Sequence, residues 1–564
     1  MTEPVTAVFV ICLFTFLGNY SLLSRFGIYE DDYVFFFFRA FDWQWRDFLE
    51  VVRWNFVHLP QGRPLGFSLE AFLCFVGSIE KNAQFAHLIG WMIISLNGFL
   101  IFRICRNRLS FICALAGGLF FVLDPANLAK QVVMHRGFIH LTITPLLCAF
   151  LLFQSESKAR RVWSYAIAAL SLIIWEAGYL PFLFAPFLTR NFRFTRQWVV
   201  RFVIHGLIFF ALAGGVLISR NLFGEERASL LVGGLRENLP KMAFAMLTGL
   251  VTSVQAALLR PIDTLFHAGF AEWLFIGAAL LLLSAVFFRG NELQERETGP
   301  WRDVLTLVIG GLGACAFSYL LAFRPSYFPP NIGIGRLTVV HAVGAVGLSI
   351  SFAGFLEGVL SCWSNQRAFI MSVCVAFLAL LTGFGVHIQN TEYVESWALQ
   401  KKFWRSLIDQ CRDVKPETEI VVDVDKASGT QGFWGLWPVN YAFSAFEKFI
   451  SFPVDWKRKP EVFGFSGFVK TFRRGNGVVL ETPFWMDEKM WPTLTDGDFI
   501  YLRFENGELR RSVEPVTING ITLHPKPVED SPPLKLSKLG RNMLGEANSR
   551  DWFTISHAIP YGSF

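Results

Sequence analysis

Long apolar runs are the feature that most constrains what this chain can fold into. A helix needs about 20 largely apolar residues to cross the hydrocarbon core of a bilayer, and fewer where it is short and buried in a bundle. The candidate runs are 5–24, 84–103, 111–124, 138–153, 162–176, 178–189, 198–219, 269–288, 303–322, 337–358 and 368–388. The sequence therefore predicts a polytopic α-helical membrane protein with about 11 spans, the count depending most on the pair within 162–189.

The composition supports this class of protein and argues against others. Charged residues make up 17% of the 564 residues, whereas soluble domains carry about 25%. The formal net charge of +6 comes from basic residues in short loops between apolar runs, so it gives no reason to expect a nucleic-acid partner. The nine cysteines form no CxxC pair and lie mostly in apolar runs, which indicates neither a disulfide framework nor a metal site.

Clusters of arginine and lysine predict how the spans are oriented. The loops that carry them are 103–108, 158–161, 190–201 and 289–302. All four fall on the inner side if the apolar segment 64–79, which contains Glu70, stays at the interface without crossing. The N-terminus is then inside and the C-terminus outside. The outer face would carry two long loops, at 25–83 and 220–268, together with shorter ones at 125–137 and 323–336.

The pattern changes after residue 388. The segments "TEIVVDVD", "GVVLETPFW", "DFIYLRFENGELRRSV" and "VTINGITLHP" alternate like strands, and the Asn-Gly pairs at 506–507 and 519–520 are hairpin turn signals. Before them, "ESWALQKKFWRSLIDQCRD" has the spacing of an amphipathic helix. We therefore expect a transmembrane domain at 1–388 and a small extracytoplasmic α/β or β-rich domain at 389–564.

Ionisable residues at the outer ends of the apolar runs are the candidate functional residues, because charge at membrane depth is costly. Asp31 and Asp32 follow the first span, next to Glu30, which we expect to be solvated. The remaining candidates on the same face are Arg39, Arg63, His135, Arg136, His140, Glu176, Arg324, Tyr327 and Arg336.

These residue types suit one kind of chemistry. A carboxylate can accept the proton of an attacking hydroxyl as general base, and arginines can neutralise a phosphate leaving group. At membrane level, this set suits the transfer of a sugar from a polyprenyl phosphate to an acceptor hydroxyl. Such a donor arrives through the bilayer, so no nucleotide-binding fold is needed. The residues that we expect to bind the donor phosphate or the substrate are Arg39, Arg63, His135, Arg136, Glu176, Arg324, Tyr327 and Arg336.

The chain resembles the GT-C superfamily of membrane glycosyltransferases, which includes protein mannosyltransferases and aminoarabinose transferases. The resemblance rests on "YEDDY" after the first span, on "QGRPLG" and "WEAGYLP", and on the helix "ESWALQKKFWRSL" that leads into the C-terminal domain. It implies that Asp31 or Asp32 is the base of a direct displacement at the anomeric carbon, with inversion. Some family members need a divalent metal, Mg or Mn, but this sequence has no obvious His/Asp cluster, so no metal ligand is assigned.

The expected partners follow from that resemblance: a polyprenyl-phosphate-linked sugar, membrane lipid, and a glycan, lipid or protein acceptor. A bacterial cytoplasmic membrane is the expected location.

Each candidate residue also has a plain structural explanation. The acids can simply fix topology, Arg39 can snorkel to the interface, and His135 and His140 fit hydrogen bonding within the fold better than catalysis. Glu176, inside an apolar run, needs an arginine or histidine partner. Two other functions stay open: a transporter or flippase of lipid-linked saccharides, which predicts charges along a path through the midplane, and a GT-C-like protein that only binds glycan.

Overall fold

The structure of the chain is a computed structural model in which part of the sequence is described. The described residues are 3–30, 32–35, 43–79, 83–189, 194–222, 235–292, 301–323, 327–332, 335–424, 449–451, 461–465, 471–480, 491, 493–505, 508–518 and 520–544.

Helices dominate the described chain up to residue 410. They are α1 Glu3–Tyr20, α2 Trp45–His58, α3 Pro64–Ser78, α4 Gln84–Arg106, α5 Phe111–Leu123, α6 Leu141–Phe153, α7 Lys158–Ile174, α8 Arg196–Leu222, α9 Leu235–His267, α10 Phe270–Glu292, α11 Trp301–Ser318, α12 His341–Cys362, α13 Arg367–Ile388, α14 Glu395–Gln410 and, near the C-terminus, α15 Lys538–Leu544. Two π-helical segments, Arg136–His140 and Gln389–Val394, lead into α6 and α14. The apolar run at 178–189 forms a 3-10 segment, Glu176–Leu188, in which Pro181 and Pro186 cannot supply the N–H that an α-helix needs.

Eight helical stretches of the described chain are long and apolar enough to cross a membrane. They are Glu3–Arg25, Gln84–Arg106, Arg196–Leu222, Arg236–His267, Phe270–Arg289, Trp301–Leu321, Thr338–Cys362 and Arg367–Gln410, and three shorter apolar helices accompany them at Pro64–Ser78, Phe111–Leu123 and Gly137–Phe153. The chain is therefore compatible with a multi-pass integral membrane protein, as predicted.

The centre of the bundle is formed by α5 and α12. Every residue of α5 is buried, and the stretch containing α12 is 89% buried, the largest share among the candidate spans. The neighbouring helices α11 and α12 cross closely at Gly311 and Gly347, where a Cβ on Gly347 would lie 2.3 Å from the Gly311 carbonyl oxygen. Small residues at such crossings let membrane helices approach and gain van der Waals contact.

Contacts between helix termini define two ends of the bundle. At the end that we call the basic end, Arg106 binds Glu3 at 2.9 Å and Arg108 binds Asp303 at 3.0 Å. At the opposite end, which we call the site end, α6 and α7 meet where the Thr142 hydroxyl donates to the carbonyl of Trp175.

Helix α9 corrects the sequence-based expectation of a long loop at 220–268. Pro240 and Pro261 lie inside it, and the charged residues at 236, 237, 241, 260 and 263 flank an uncharged, largely apolar stretch, 242–259. That stretch gives the helix the length and mean hydropathy of a candidate membrane span, so the expectation of a loop was wrong although the sequence contained the signal.

The described side-chain contacts of α9 are with residues at the site end. The ring of Phe244 lies 5.8 Å from that of Phe328, and Ser253 bonds His341 Nδ1 at 3.1 Å. Arg260 donates to the carbonyl of Pro125. A helix rises about 24 Å between Phe244 and Arg260, yet the residues that these side chains contact all lie at the site end.

The strands lie after α14, as the sequence predicted. They are β1 Glu419–Val424, β2 Glu461–Phe465, β3 Thr471–Arg474, β4 Gly477–Leu480, β5 Thr493–Leu494, β6 Phe499–Glu505, β7 Glu508–Ser512, β8 Val516–Ile518 and β9 Ile521–Leu523. A mixed sheet has the order β2-β1-β6-β7, in which β1 is parallel to both neighbours and β6 and β7 form a hairpin. An antiparallel sheet β3-β4-β5 and a hairpin β8-β9 complete the described part.

The predicted amphipathic helix is confirmed as α14, but it is continuous with the preceding span. The helical run Arg367–Gln410 is 44 residues long and would measure about 66 Å, about twice the roughly 30 Å of hydrocarbon. One apolar core includes residues of the bundle and of the C-terminal region, for example Trp404 with Phe449 and Phe504. The C-terminal region therefore packs directly on the extension of α13.

Candidate functional site

The acidic segment after α1 is 30–32, and its described residues, Glu30 and Asp32, are buried at the site end. Glu30, at φ 48°, is only 3% exposed, and its carboxylate lies 3.1 Å from Nε2 of His135. The expectation that Glu30 is solvated is therefore wrong, because a histidine more than 100 residues later in sequence covers it. His135 was expected to hydrogen-bond to the backbone, but its described partner is this carboxylate.

Asp32 is fully buried and begins a single helical turn, Asp32–Phe35. Its Oδ2 accepts a hydrogen bond of 2.9 Å from the backbone N–H of Val133. Asp32 thus holds the segment before α6 against the acidic segment, in parallel with the contact between Glu30 and His135. This contact gives Asp32 a structural task, whether or not it also serves in chemistry.

A second charged cluster joins Arg63, Glu176 and Arg220. Arg63 donates to both carboxylate oxygens of Glu176, with Nε at 2.9 Å and Nη2 at 2.5 Å. Arg220 adds a hydrogen bond from Nη1 at 3.1 Å. The expectation that Glu176 has an arginine or histidine partner is confirmed, and the structure supplies two arginines.

A rigid turn presents Arg63 to this cluster. Pro60 and Pro64 flank it, and Gly62 has φ +63°, a conformation that L side chains rarely adopt. A Cβ on Gly62 would also lie 2.3 Å from Cγ of Arg220, whose Nε donates to the Gly62 carbonyl at 3.2 Å. The turn and Arg220 therefore fix each other.

Arg220 was not among the residues singled out from the sequence. It is buried in the last turn of α8, where a third hydrogen bond runs from Nη2 to the carbonyl of Leu172 at 3.0 Å. The sequence does contain a signal, since Arg220 is an isolated charge after the long apolar stretch 207–219. A charge at the end of a span usually indicates only the interface, which is why the signal was not specific.

A small pocket opens beside the arginine cluster and brings two predicted residues together. It is lined by Trp175, Glu176, Ala177, Ser318, Leu321, Ala322, Tyr327 and Val340. Most of the lining residues are apolar, and Glu176, Ser318 and Tyr327 are its polar members. The cavity measures about 40 Å³, well below the roughly 300–1,000 Å³ of usual ligand pockets.

The two charged clusters are connected through α3 and the π-helical segment before α6. The ring of Phe67 packs edge-on against Phe138 at 5.0 Å. A Cβ on Gly137 would lie 3.0 Å from Cα of Glu70. Because Arg63 immediately precedes α3 and His135 immediately precedes the π-helical segment, both clusters belong to one contiguous region of the site end.

Lys130 is a further residue that sequence reasoning missed. Its side chain is 4% exposed, and Nζ donates to the carbonyl oxygens of Val122 at 3.1 Å and Asp124 at 2.8 Å. Burial lowers the pKa of Lys130 to about 8, while the carboxylate of Asp124 opposes that effect. Lys130 closes the turn that follows α5 and so stabilises the segment leading to Val133.

Several predicted site residues cannot be placed. Asp31, Arg39 and Arg324 lie outside the described residues, and the side chains of Arg136 and Arg336 are not described, although their backbones belong to helical segments. His140 is buried and lies 3.3 Å from Nδ2 of Asn127. Within the described part of the chain, no group of three or more His, Cys, Asp or Glu side chains has the arrangement of a metal site.

Comparisons with family models, with curated proteins and with solved structures each return no match for this chain. The function therefore has to be argued from the sequence and the geometry of the site.

Proposed function

We propose that this protein is an integral membrane glycosyltransferase of GT-C type that transfers a sugar from a polyprenyl-phosphate donor. The main support is the Arg63–Glu176–Arg220 cluster beside a pocket that Tyr327 also lines, at the same end of the bundle as the acidic segment. Arginine is suited to this role because its planar fork binds phosphate oxygens and stays charged. The acceptor would be a hydroxyl of a glycan, lipid or protein.

The topology that fits this proposal has 11 crossings, those of the sequence prediction, with α9 lying along the site end. Support comes from the contacts that place Arg106 and Arg108 at one end and the partners of α9 at the other. An odd number of crossings puts the C-terminal region on the same side as the site. By the distribution of basic residues, that side would be the outer face, in our proposal that of a bacterial cytoplasmic membrane.

In the proposed reaction, the acceptor hydroxyl oxygen attacks the anomeric carbon and forms a new C–O bond. The bond between that carbon and the donor phosphate oxygen breaks, and its electron pair leaves with polyprenyl phosphate. The proton of the hydroxyl passes to an aspartate carboxylate as general base. The leaving phosphate gains negative charge, which the guanidinium groups stabilise.

We assign the base to Asp31, leaving Asp32 a mainly structural role. Asp32 is fully buried and accepts the N–H of Val133. Arg63 is the residue we assign to the donor phosphate, since it uses Nε and Nη2 for Glu176 and no described residue accepts from Nη1. Arg220 and Glu176 would hold Arg63 in place.

The distribution of buried charge favours an enzyme over a transporter. Among the described buried charges, one group is at the site end: Glu30, Asp32, Asp124 and Lys130. Glu357 is buried at the basic end, where it accepts from the N–H of Ser110 at 2.9 Å. A transport path would require charged groups between these ends, and the described contacts contain no such chain.

The test is a transfer assay with purified full-length protein in lipid and a panel of radiolabelled polyprenyl-phosphate sugars. Asp31→Asn should lower turnover by about 10²–10⁴-fold, the usual contribution of a general base. Asp32→Asn keeps an oxygen that can accept from Val133, so it should retain both the fold and most activity. Asp32→Ala should lose stability by about 1–3 kcal/mol, because a buried N–H is left unsatisfied.

Glu50→Gln, at an exposed position of α2, is the matched control for loss of one negative charge. Full turnover of Asp31→Asn with the donor that the wild type uses would refute the assigned base. Uptake of the lipid-linked sugar across vesicles without any transfer product would instead favour the flippase. Binding of glycan with neither activity would favour the non-catalytic alternative.

A further inference from the structure

Two fully buried tyrosines flank the acidic residues. Tyr29 accepts a hydrogen bond from the backbone N–H of Gly27 at 3.0 Å and donates to the carbonyl of Tyr393 at 3.1 Å. Tyr393 belongs to the π-helical segment that joins α13 to α14. Tyr29 is thus hydrogen-bonded to the helical run that leads into the C-terminal region.

Tyr33 is tied to the same run two turns further along. Its hydroxyl donates to Oε1 of Gln400 and accepts from Nε1 of Trp404 at 3.3 Å. Gln400 is itself held by a 3.1 Å hydrogen bond to Ser396. Tyr33, Gln400 and Trp404 are all fully buried. The Tyr33 hydroxyl therefore donates one hydrogen bond and accepts one within the protein.

Two further contacts extend this interface toward the membrane. A Cβ on Gly27 would lie 1.9 Å from the ring of Trp397, so the backbone touches the indole directly. Gln389 bonds the end of α1, donating to the carbonyl of Leu17 at 3.1 Å and accepting from the N–H of Leu22 at 3.1 Å.

The residues that make these contacts recur every three or four positions, which places them on one face of the helical run. They are Gln389, Tyr393, Trp397, Gln400 and Trp404. We call this set the anchoring stripe.

Other residues of α14 bind the C-terminal region. The ring of Phe403 packs edge-on against Phe504 at 5.4 Å. Arg405 donates to the carbonyl of Leu544 at 2.6 Å. The acidic segment and the C-terminal region therefore contact the same helical run. A displacement of that run would displace both of them.

We propose that the anchoring stripe positions the acidic segment, with Gln400 and Trp404 acting as positioning residues through Tyr33. The described part of the C-terminal region packs on the same helix, so a displacement of that region would reach the acidic segment through the stripe. This inference rests on the proposed function. A general base works only within a narrow range of distances, and a shift of about 1 Å can cost about 10²-fold in rate.

The experiment compares Gln400→Leu and Tyr33→Phe in the full-length protein. Each should lower kcat by about 10–10²-fold and leave the KM for the donor unchanged, since donor binding is assigned to Arg63. If the two residues act through one hydrogen bond, the double variant should be no slower than the worse single variant. Lys402→Gln, at an exposed position of α14, should leave kcat unchanged.

Hydrogen exchange supplies a readout that does not depend on activity. Gln400→Leu should speed exchange of the amides at 27–35 and leave those of α4 unchanged. Unchanged exchange at 27–35 would overturn the positioning role even if kcat falls. Faster exchange with unaltered kcat would overturn its link to catalysis. If the wild type transfers no sugar while exchange at 27–35 responds, the proposed function fails and the anchoring of the acidic segment stands.

Discussion

Replacing Glu176 by glutamine removes the carboxylate that two buried arginines share. The side chains of Arg63 and Arg220 are 9% and 8% exposed, and that of Glu176 is 16% exposed. Together they form three charge-assisted hydrogen bonds on the two carboxylate oxygens. Glutamine offers one oxygen only, and its NH₂ group would face a guanidinium donor.

The expected cost is about 3–5 kcal/mol of unfolding free energy, the usual effect of removing one partner of a buried ion pair. The matched control is Glu50→Gln in α2, where Arg46 and Glu50 form an ion pair with side chains 86% and 65% exposed. Exposed pairs contribute about 0–1 kcal/mol, so the control should remain close to the wild type.

The measurement is denaturant unfolding of the full-length protein in detergent micelles, followed by tryptophan fluorescence. Arg63→Met and Arg220→Met should each cost less than Glu176→Gln, because each leaves one arginine paired with one carboxylate. If Glu176→Gln and Glu50→Gln lie within about 0.5 kcal/mol of each other, the cluster is not the buried network described above, and its assignment to the donor phosphate loses its support.

Two further outcomes concern the C-terminal region and the acidic segment. Burial acts to raise the pKa of Asp413, but Arg511, which donates to it at 2.5 and 3.0 Å, and the backbone N–H of Glu529 at 3.1 Å together outweigh this and hold the pKa below its usual range. The resulting stabilisation is present above the ordinary aspartate pKa of about 4 and is lost as the pH falls through the lowered value, so Asp413→Asn should flatten the acid side of a stability–pH curve. Gly27→Ala should lower the melting temperature, because its Cβ would lie 1.9 Å from Trp397. The control Gly215→Ala, with nothing within 4 Å, should leave the melting temperature unchanged or raise it slightly.

The helices could be predicted from the sequence wherever the signal was local. Apolar runs such as 84–103 and 368–388 became α4 and α13 with ends shifted by a few residues, since hydropathy alone decides that a segment leaves water. Helix α9 was missed even though its central stretch, 242–259, is uncharged and apolar enough for a span. Its position depends on Tyr319 and His341, which approach it only in the folded chain.

The candidate site was predictable only in part, because its contacts join distant parts of the sequence. The sequence showed that Glu176 needs a basic partner, but Arg220 comes 44 residues later and belongs to another helix. Glu30 was expected in solvent, but it is buried. The residue that buries it, His135, is 105 positions away, and no local pattern reports such a contact.

The acidic segment and the two tyrosines beside it contact two different parts of the fold. Tyr29 and Tyr33 bind the run that leads into α14, while Glu30 and Asp32 bind the segment before α6. Glu30 and Asp32, the immediate neighbours of Asp31, are therefore held by one part of the fold, and the two tyrosines are held by another. Supporting a residue from several directions is what a precise catalytic geometry requires. A segment that only set topology would need its charge at the interface but not the contacts of these four described residues, so the contacts support the proposed chemical role of the segment.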